Sequence, residues 1–305
     1  MPSSAAAATE LARIAASFGR LFYVRSCANA WPDRVAVTRG KRTDFCVGDE
    51  VEVRLIGPDQ AVIESLRPRR TALQRSGRWR SKLLAANVDQ AGIVVSGDPP
   101  FSEALLMRML IAIESAGIGA ALIANKSDLV EAARAIAGRI AAYRALGYEV
   151  FEIAAGARPR EAREQLGTWL AGRTTLLIGQ SGMGKSTLVN TLVPDADLRT
   201  QAISAALSSG RHTTTFSRMF DVPGEVARDA RIVDTPGFQS FGLAHLSESQ
   251  RMHAMREFVP LLGRCRFNNC RHHDEPGCAI RDAASRGEID ALRYRLYLRI
   301  EADAD

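Results

Sequence analysis

The segment GQSGMGKST, Gly179 to Thr187, carries the strongest chemical signal in the chain. It satisfies G-x-x-x-x-G-K-[ST], follows the apolar run TTLLI and opens the helix-like run STLVNTL, which is the context this pattern needs. Gly179, Gly182 and Gly184 let the loop turn its N–H groups inward around a polyphosphate, with Gln180, Ser181 and Met183 supplying further main chain. The helix that begins at Lys185 adds its positive end. The Lys185 ammonium can then reach the β- and γ-phosphates, and Ser186, next to Thr187, offers a hydroxyl to magnesium. Asp234 ends the apolar run RIVD in RIVDTPG, a place from which a carboxylate reaches the magnesium shell. Gly237 follows with an N–H that can sense a γ-phosphate.

Base choice points to NKSD, Asn125 to Asp128, after the strand-like AALIA. Guanine presents a paired N1–H and N2–H₂ donor edge that adenine lacks. The Asp128 carboxylate can accept both donors, and leaving them unpaired in a buried pocket is costly. Asn125 can bond the base or brace the phosphate loop, while the Lys126 stem covers the ring. This reading implies GTP and GDP as ligands. A P-loop ATPase acting on nucleic acid is the rival that NKSD disfavours.

A separate constellation lies near the C-terminus. Cys265, Cys270, His272 and Cys278 give C-x4-C-x-H-x5-C, three thiolates and an imidazole suited to one tetrahedral structural zinc ion. Four protein ligands leave no open position for catalysis. His273 is a competing ligand, and a reduced, metal-free cluster is the plainer alternative. Arg264, Arg266 and Arg271 are interspersed among the ligands and suit RNA phosphate. Cys27 and Cys46, isolated in a strand-like region, read as buried small side chains.

These groups need elements to hold them. Short alternating runs between about 20 and 66 (RLFYVRS, RVAVTRG, VGDEVEVRLI, QAVIESL) predict a small β-barrel. Beyond Lys82 the pattern becomes strand–helix alternation: AGIVVS, a helix that Ser102 can cap, GIGAALIAN, a helix near 129–146, EVFEIAA, a helix near 160–171, and RTTLLIG. That alternation predicts a largely parallel sheet covered by helices. The expected organisation is a flexible leader over 1–19, an OB-like RNA-binding domain over 20–70, a basic linker over 71–81, an α/β P-loop domain over 82–243 and a mainly helical zinc-binding domain over 244–305. The base motif precedes the phosphate loop, the reverse of the usual order, so the P-loop domain has circularly permuted topology. Both motifs still end strands, and a parallel sheet can bring them together.

The net charge of +6 and pI near 9.3 favour an anionic partner. Arg67, Arg69, Arg70, Arg75, Arg78, Arg80 and Lys82 form a run without an acidic residue, with Trp79 among them. It reads either as a solvated linker or as a phosphate-backbone footprint with a stacking aromatic. No long stretch is apolar and uncharged enough for a membrane span, and MPSSAAAATELAR lacks the basic start of an export signal. A cytoplasmic monomer with no membrane association is expected.

Together these motifs resemble the circularly permuted GTPases that depend on the small ribosomal subunit, the RsgA family. The resemblance rests on NKSD at 125–128, GQSGMGKS at 179–186, GRHTTT at 210–215, DTPGF at 234–238, RGK at 39–41, VGDEV at 47–51 and LAANVDQ at 84–90. It implies GTP hydrolysis to GDP and phosphate, stimulated by the small subunit and its 16S rRNA and coupled to late 30S maturation. It also implies that Thr214, or its neighbour Thr213, closes on magnesium and γ-phosphate, that His212 helps position water, and that the four Cys/His ligands hold zinc. Phe238 stands where many related GTPases carry a glutamine, which implies slow intrinsic turnover. It also keeps open a weakly hydrolysing RNA-binding assembly factor. Ala154–Ala155 occupy the stretch where the family usually has a serine–alanine pair. The hydroxyl that braces the base loop is missing there, although a main-chain N–H in that stretch could still meet guanine O6.

Overall fold

A computed structural model describes residues 9–40, 42, 44–76, 81–196 and 216–303. His212, Thr213, Thr214, Lys41 and the Arg78–Trp79–Arg80 stretch lie outside the described residues.

Alternation of period two builds the barrel. In β1 (Glu10–Phe18), Ala12, Ile14 and Ala16 are buried; so are Phe22 and Val24 in β2 (Leu21–Ser26) and Ala36 in β3 (Arg34–Thr38). Val51 and Val53 of β4 (Glu50–Leu55) and Ala61 and Ile63 of β5 (Gln60–Leu66) complete a core separate from the rest of the molecule. Each large apolar side chain buried there contributes about 1.5–3 kcal/mol. The order β1-β2-β3-β5-β4 closes through a β1–β4 pairing, an OB-like five-stranded barrel. The expected leader over 1–19 is corrected at Glu10–Phe18, because burial of Ile14 and its alanine neighbours makes this segment a barrel strand. Cys46 is buried as expected, but Cys27 is exposed.

The expected linker over 71–81 is corrected at Ala72–Ser76 and at Ser81, which belong to strands. β6 (Ala72–Ser76) and β7 (Ser81–Ala86) pair antiparallel, anchored by the fully buried Leu73, Ala85 and Ala86. The second strand also claims Lys82–Ala86 from the expected start of the next domain. Gly48 sits with φ of 92°, and a Cβ there would lie 1.9 Å from Ala86 O, so barrel and hairpin touch main chain to main chain. At the other side, Ser76 N–H donates to Gly242 O at 2.9 Å and Ser76 Oγ lies 2.9 Å from His245 Nδ1. Much of the basic run is internally engaged. Arg67 pairs with Glu52, Arg69 with the fully buried Asp49, and Arg70 with Asp89, while Arg75 lies 5.2 Å from the Phe238 ring centroid.

The α/β region runs β8 (Gln90–Val95), α1 (Glu103–Ser115), β9 (Gly119–Ala124), α2 (Val130–Ala145), β10 (Glu149–Glu152), α3 (Pro159–Leu170), β11 (Thr174–Gly179), α4 (Lys185–Leu192), β12 (Arg218–Asp221) and β13 (Arg231–Asp234). Ser102 caps α1 by accepting from Leu105 N–H. Strand order is β10-β9-β8-β11-β13-β12, parallel except for β12. Every residue of β8 and β11 is buried, the signature of parallel strands covered on both faces. β12 continues the sheet into the barrel through Ala16 opposite Arg218, and Arg25 of the barrel pairs with Asp221.

The C-terminal part comprises α5 (Glu248–His253), α6 (Ala279–Ser285) and α7 (Ala291–Ala302), with a 3-10 turn at Val259–Leu261. It packs along α1. Arg256 bonds Glu114 and Gly147 O, both at 2.8 Å, and Arg108 pairs with Asp303. Arg251 and Glu301 form a buried bidentate pair at 2.7 and 2.6 Å that fixes α5 to α7. Among the described residues, no helix is long and apolar enough to cross a membrane.

Candidate nucleotide site and metal centre

The carboxyl ends of β9, β11 and β13 converge, the place where parallel α/β sheets take ligands. Gly182 and Gly184 adopt φ of 88° and 83°, which the turn of the phosphate loop requires. Gly179 admits no side chain, since a Cβ would meet Val94 O at 2.5 Å. Met183 is buried and offers only main chain to the loop, while Ser181, Ser186 and Thr187 are exposed at its mouth. The Gln180 side chain is turned aside, accepting from Ser102 N–H at 2.9 Å.

Lys185 is buried, and its Nζ pairs with Asp234 Oδ1. The loop that follows Asp234 is zipped to the phosphate loop. Phe238 N–H donates to Gly179 O at 3.0 Å, and Thr235 Oγ1 donates to Leu177 O at 2.9 Å. Gly237 crowds Ser181, where a Cβ would lie 3.0 Å from its Cα. Phe238 is buried edge-on against Phe241, with ring centroids 5.5 Å apart. It serves as packing, and the neighbouring Gln239 is exposed.

The base motif meets this loop despite its earlier position in the chain. Asn125 Nδ2 donates to Met183 O at 3.2 Å and Gly184 O at 3.4 Å, and its Oδ1 accepts from Ala155 N–H at 3.0 Å. Of the two uses open to Asn125, bracing the loop is the one seen. Lys126, at φ of 62°, donates to Asp98 O at 2.7 Å and Gly182 O at 3.1 Å, which lays its stem beside the loop. Asp128 is exposed. The Ala155 amide, which could have met guanine O6, is taken by Asn125. Sequence reasoning missed Thr191: its hydroxyl donates to Ala155 O at 2.9 Å from inside α4.

Away from this pocket, the ligand atoms of Cys265, Cys270, His272 and Cys278 lie within 4.8 Å of one another. His272 Nδ1 is 3.6, 3.5 and 3.4 Å from the three sulfurs. A tetrahedral ion at about 2.3 Å from sulfur and about 2.0 Å from nitrogen sets that separation near ~3.5 Å, so the four residues fit one metal ion. Burial pushes the Cys270 thiol up to about 12 and raises Cys278, so the thiolates need a cation's charge to form. His272 is placed by Tyr294, whose hydroxyl donates to its carbonyl at 2.6 Å. The competing His273 is not in the cluster; its N–H donates to Glu275 at 2.9 Å. Arg264, Arg266 and Arg271 all lie on the exposed surface around the cluster.

A phosphate loop and a base loop from an earlier stretch of chain, joined on one parallel sheet, define a circularly permuted P-loop GTPase. The family model described as RsgA GTPase matches residues 66–244. The small ribosomal subunit biogenesis GTPase RsgA of Burkholderia pseudomallei strain K96243 is 48% identical over 293 residues, covering 96% of this chain and 91% of its own. That of Paraburkholderia xenovorans is 48% identical over 267 residues, covering 87% and 84%. The chain belongs to the RsgA GTPase family. Its fold is shared with YjeQ from Thermotoga maritima (TM-score 0.73, 24% identity, 97% and 99% covered) and with YloQ, a circularly permuted GTPase (TM-score 0.70, 23% identity, 100% and 98% covered).

Proposed function

We propose that the chain hydrolyses GTP to GDP and phosphate, is stimulated by the small ribosomal subunit and its 16S rRNA, and couples hydrolysis to late 30S maturation in the cytoplasm, acting as a monomer. The observation that carries the nucleotide reading is Asn125, which links Met183 of the phosphate loop to Ala155 of the base loop. The ribosomal part rests on the Burkholderia and Paraburkholderia relatives, which are small ribosomal subunit biogenesis GTPases.

In this reading residues 179–187 wrap the phosphates, Lys185 leaves Asp234 for the β- and γ-phosphates, and Gly237 N–H faces the γ-phosphate. Asp128 accepts from guanine, flanked by Asn125 and Lys126. Ser186, Asp234 and Thr214 would hold a magnesium ion, which would supply positive charge to offset that of the phosphates. His212 positions water in place of the glutamine that Phe238 replaces. Zinc is the ion for the Cys265–Cys270–His272–Cys278 set, which then serves structure only.

The test is GTP turnover with and without purified small subunits, with ATP as competitor. Strong stimulation and indifference to ATP are expected; equal rates with and without subunits would overturn the ribosomal reading. Asp128→Asn turns one acceptor into a donor facing guanine. The GTP-over-ATP preference should fall about a hundredfold, and a variant that keeps the full preference excludes Asp128 from base reading.

A further inference from the structure

We infer that Thr191 is a specificity-positioning residue, supplying from α4 the hydroxyl that the Ala154–Ala155 base loop lacks.

A loop that sets a base pocket must be held where its own side chains are too small to hold it. Ala154 and Ala155 are buried and carry no polar side-chain atom. The loop is held through its main chain. Ala154 O accepts from Arg158 N–H at 2.7 Å, and Ala155 O accepts from Thr191 Oγ1 at 2.9 Å. Thr191 is buried, so this bond is out of water's reach and its loss leaves a buried acceptor without a partner. Nearby, a Cβ on Gly156 would lie 3.6 Å from Thr187 Cγ2, which shows the loop lying against the first turn of α4.

The bond closes a ring. Thr191 holds Ala155 O, Ala155 N–H holds Asn125 Oδ1, and Asn125 Nδ2 holds Met183 O, four residues before the Thr187 turn of the same helix. An amide side chain such as Asn125 has two ends, and its orientation is fixed only when donor and acceptor sides are both engaged. Ala155 N–H engages the acceptor side, so Thr191 fixes the orientation of Asn125 at one remove. It touches neither the phosphate loop's inner surface nor the γ-phosphate position. Its effect should fall on nucleotide retention and base choice, with the chemical step spared.

Thr191 matters in this way only if the pocket takes guanine as proposed above, so the two are tested separately. Competition of GTP and ATP on the wild-type chain comes first; no guanine preference there overturns both readings. With the preference present, Thr191→Val keeps the side-chain volume and removes the donor. Expected are a GDP dissociation rate and a KM for GTP about tenfold higher, or about 1.4 kcal/mol, a weakened GTP-over-ATP preference and kcat within about twofold of wild type. Thr191→Ser, which restores the hydroxyl, should recover all three. If Thr191→Val lowers only the melting temperature, with GDP release and base preference unchanged, Thr191 is packing alone and the inference is wrong.

Discussion

Lys185→Ala abolishes GTP turnover and also destabilises the chain. Lys185 and Asp234 form a buried ion pair, with side-chain exposures of 7% and 14%. Removing the ammonium leaves a carboxylate with little water and only the Arg218 guanidinium of the neighbouring strand as a counter-charge, a change that costs about 3 kcal/mol. Turnover suffers for a different reason: the phosphates lose the cation that tracks developing charge, worth about a thousandfold in rate. The two effects separate in the double variant. Lys185→Ala with Asp234→Ala has no orphaned carboxylate, so its melting temperature should return toward wild type while turnover stays lost. A single variant that binds and hydrolyses GTP normally would reject the phosphate-loop assignment.

The second large effect is expected at Cys270→Ala, far from the nucleotide. The metal cluster is tied to the C-terminal helices through Tyr294 and through Phe258, which packs 4.9 Å from the Tyr297 ring. The C-terminal part reaches the α/β region through Glu114, at the end of α1, and Gly147, just before β10. Both contacts lie at the amino ends of the strands, opposite the phosphate loop. Loss of one thiolate should release zinc and unfold the knuckle, scattering Arg264, Arg266 and Arg271. The nucleotide pocket should survive. Measured on the purified variant, zinc content should fall to near zero, GTP affinity should stay within about twofold and stimulation by small subunits should drop at least tenfold. Zinc loss with full ribosome binding and stimulation would show that the metal has only a local stabilising role.

Local patterns were readable in the sequence wherever the deciding contacts are near in the chain. The phosphate loop, the Ser102 cap and the metal cluster are of this kind, each settled by spacing over a few residues. β1 was not readable. ELARIAASF is rich in alanine, which has weak strand preference, and only the closing barrel makes Ala12 and Ala16 useful as small inward residues. The pairing within the basic run was hidden for a related reason: the acids that engage Arg67, Arg69 and Arg70, namely Glu52, Asp49 and Asp89, come from elsewhere in the chain. Thr191 is the sharpest case. Nothing in STLVNTL marks one threonine as special, and its partner Ala155 lies 36 positions away.

The clasp between the hairpin and the segment after β13 has a consequence for how the chain folds. Ser76 and His245 are 169 positions apart. Closing a loop of that length from an unfolded chain costs about 4.5 kcal/mol of entropy before any constant term. The clasp offers two or three hydrogen bonds, each worth about 1 kcal/mol net. It cannot lead folding, and must form after the parallel sheet has brought the two ends of the α/β region together. For the same reason its loss need not unfold that sheet. Amide exchange at Ser76, whose N–H is held by Gly242, should therefore proceed by a local opening of low free energy, well ahead of amides in β8 and β11.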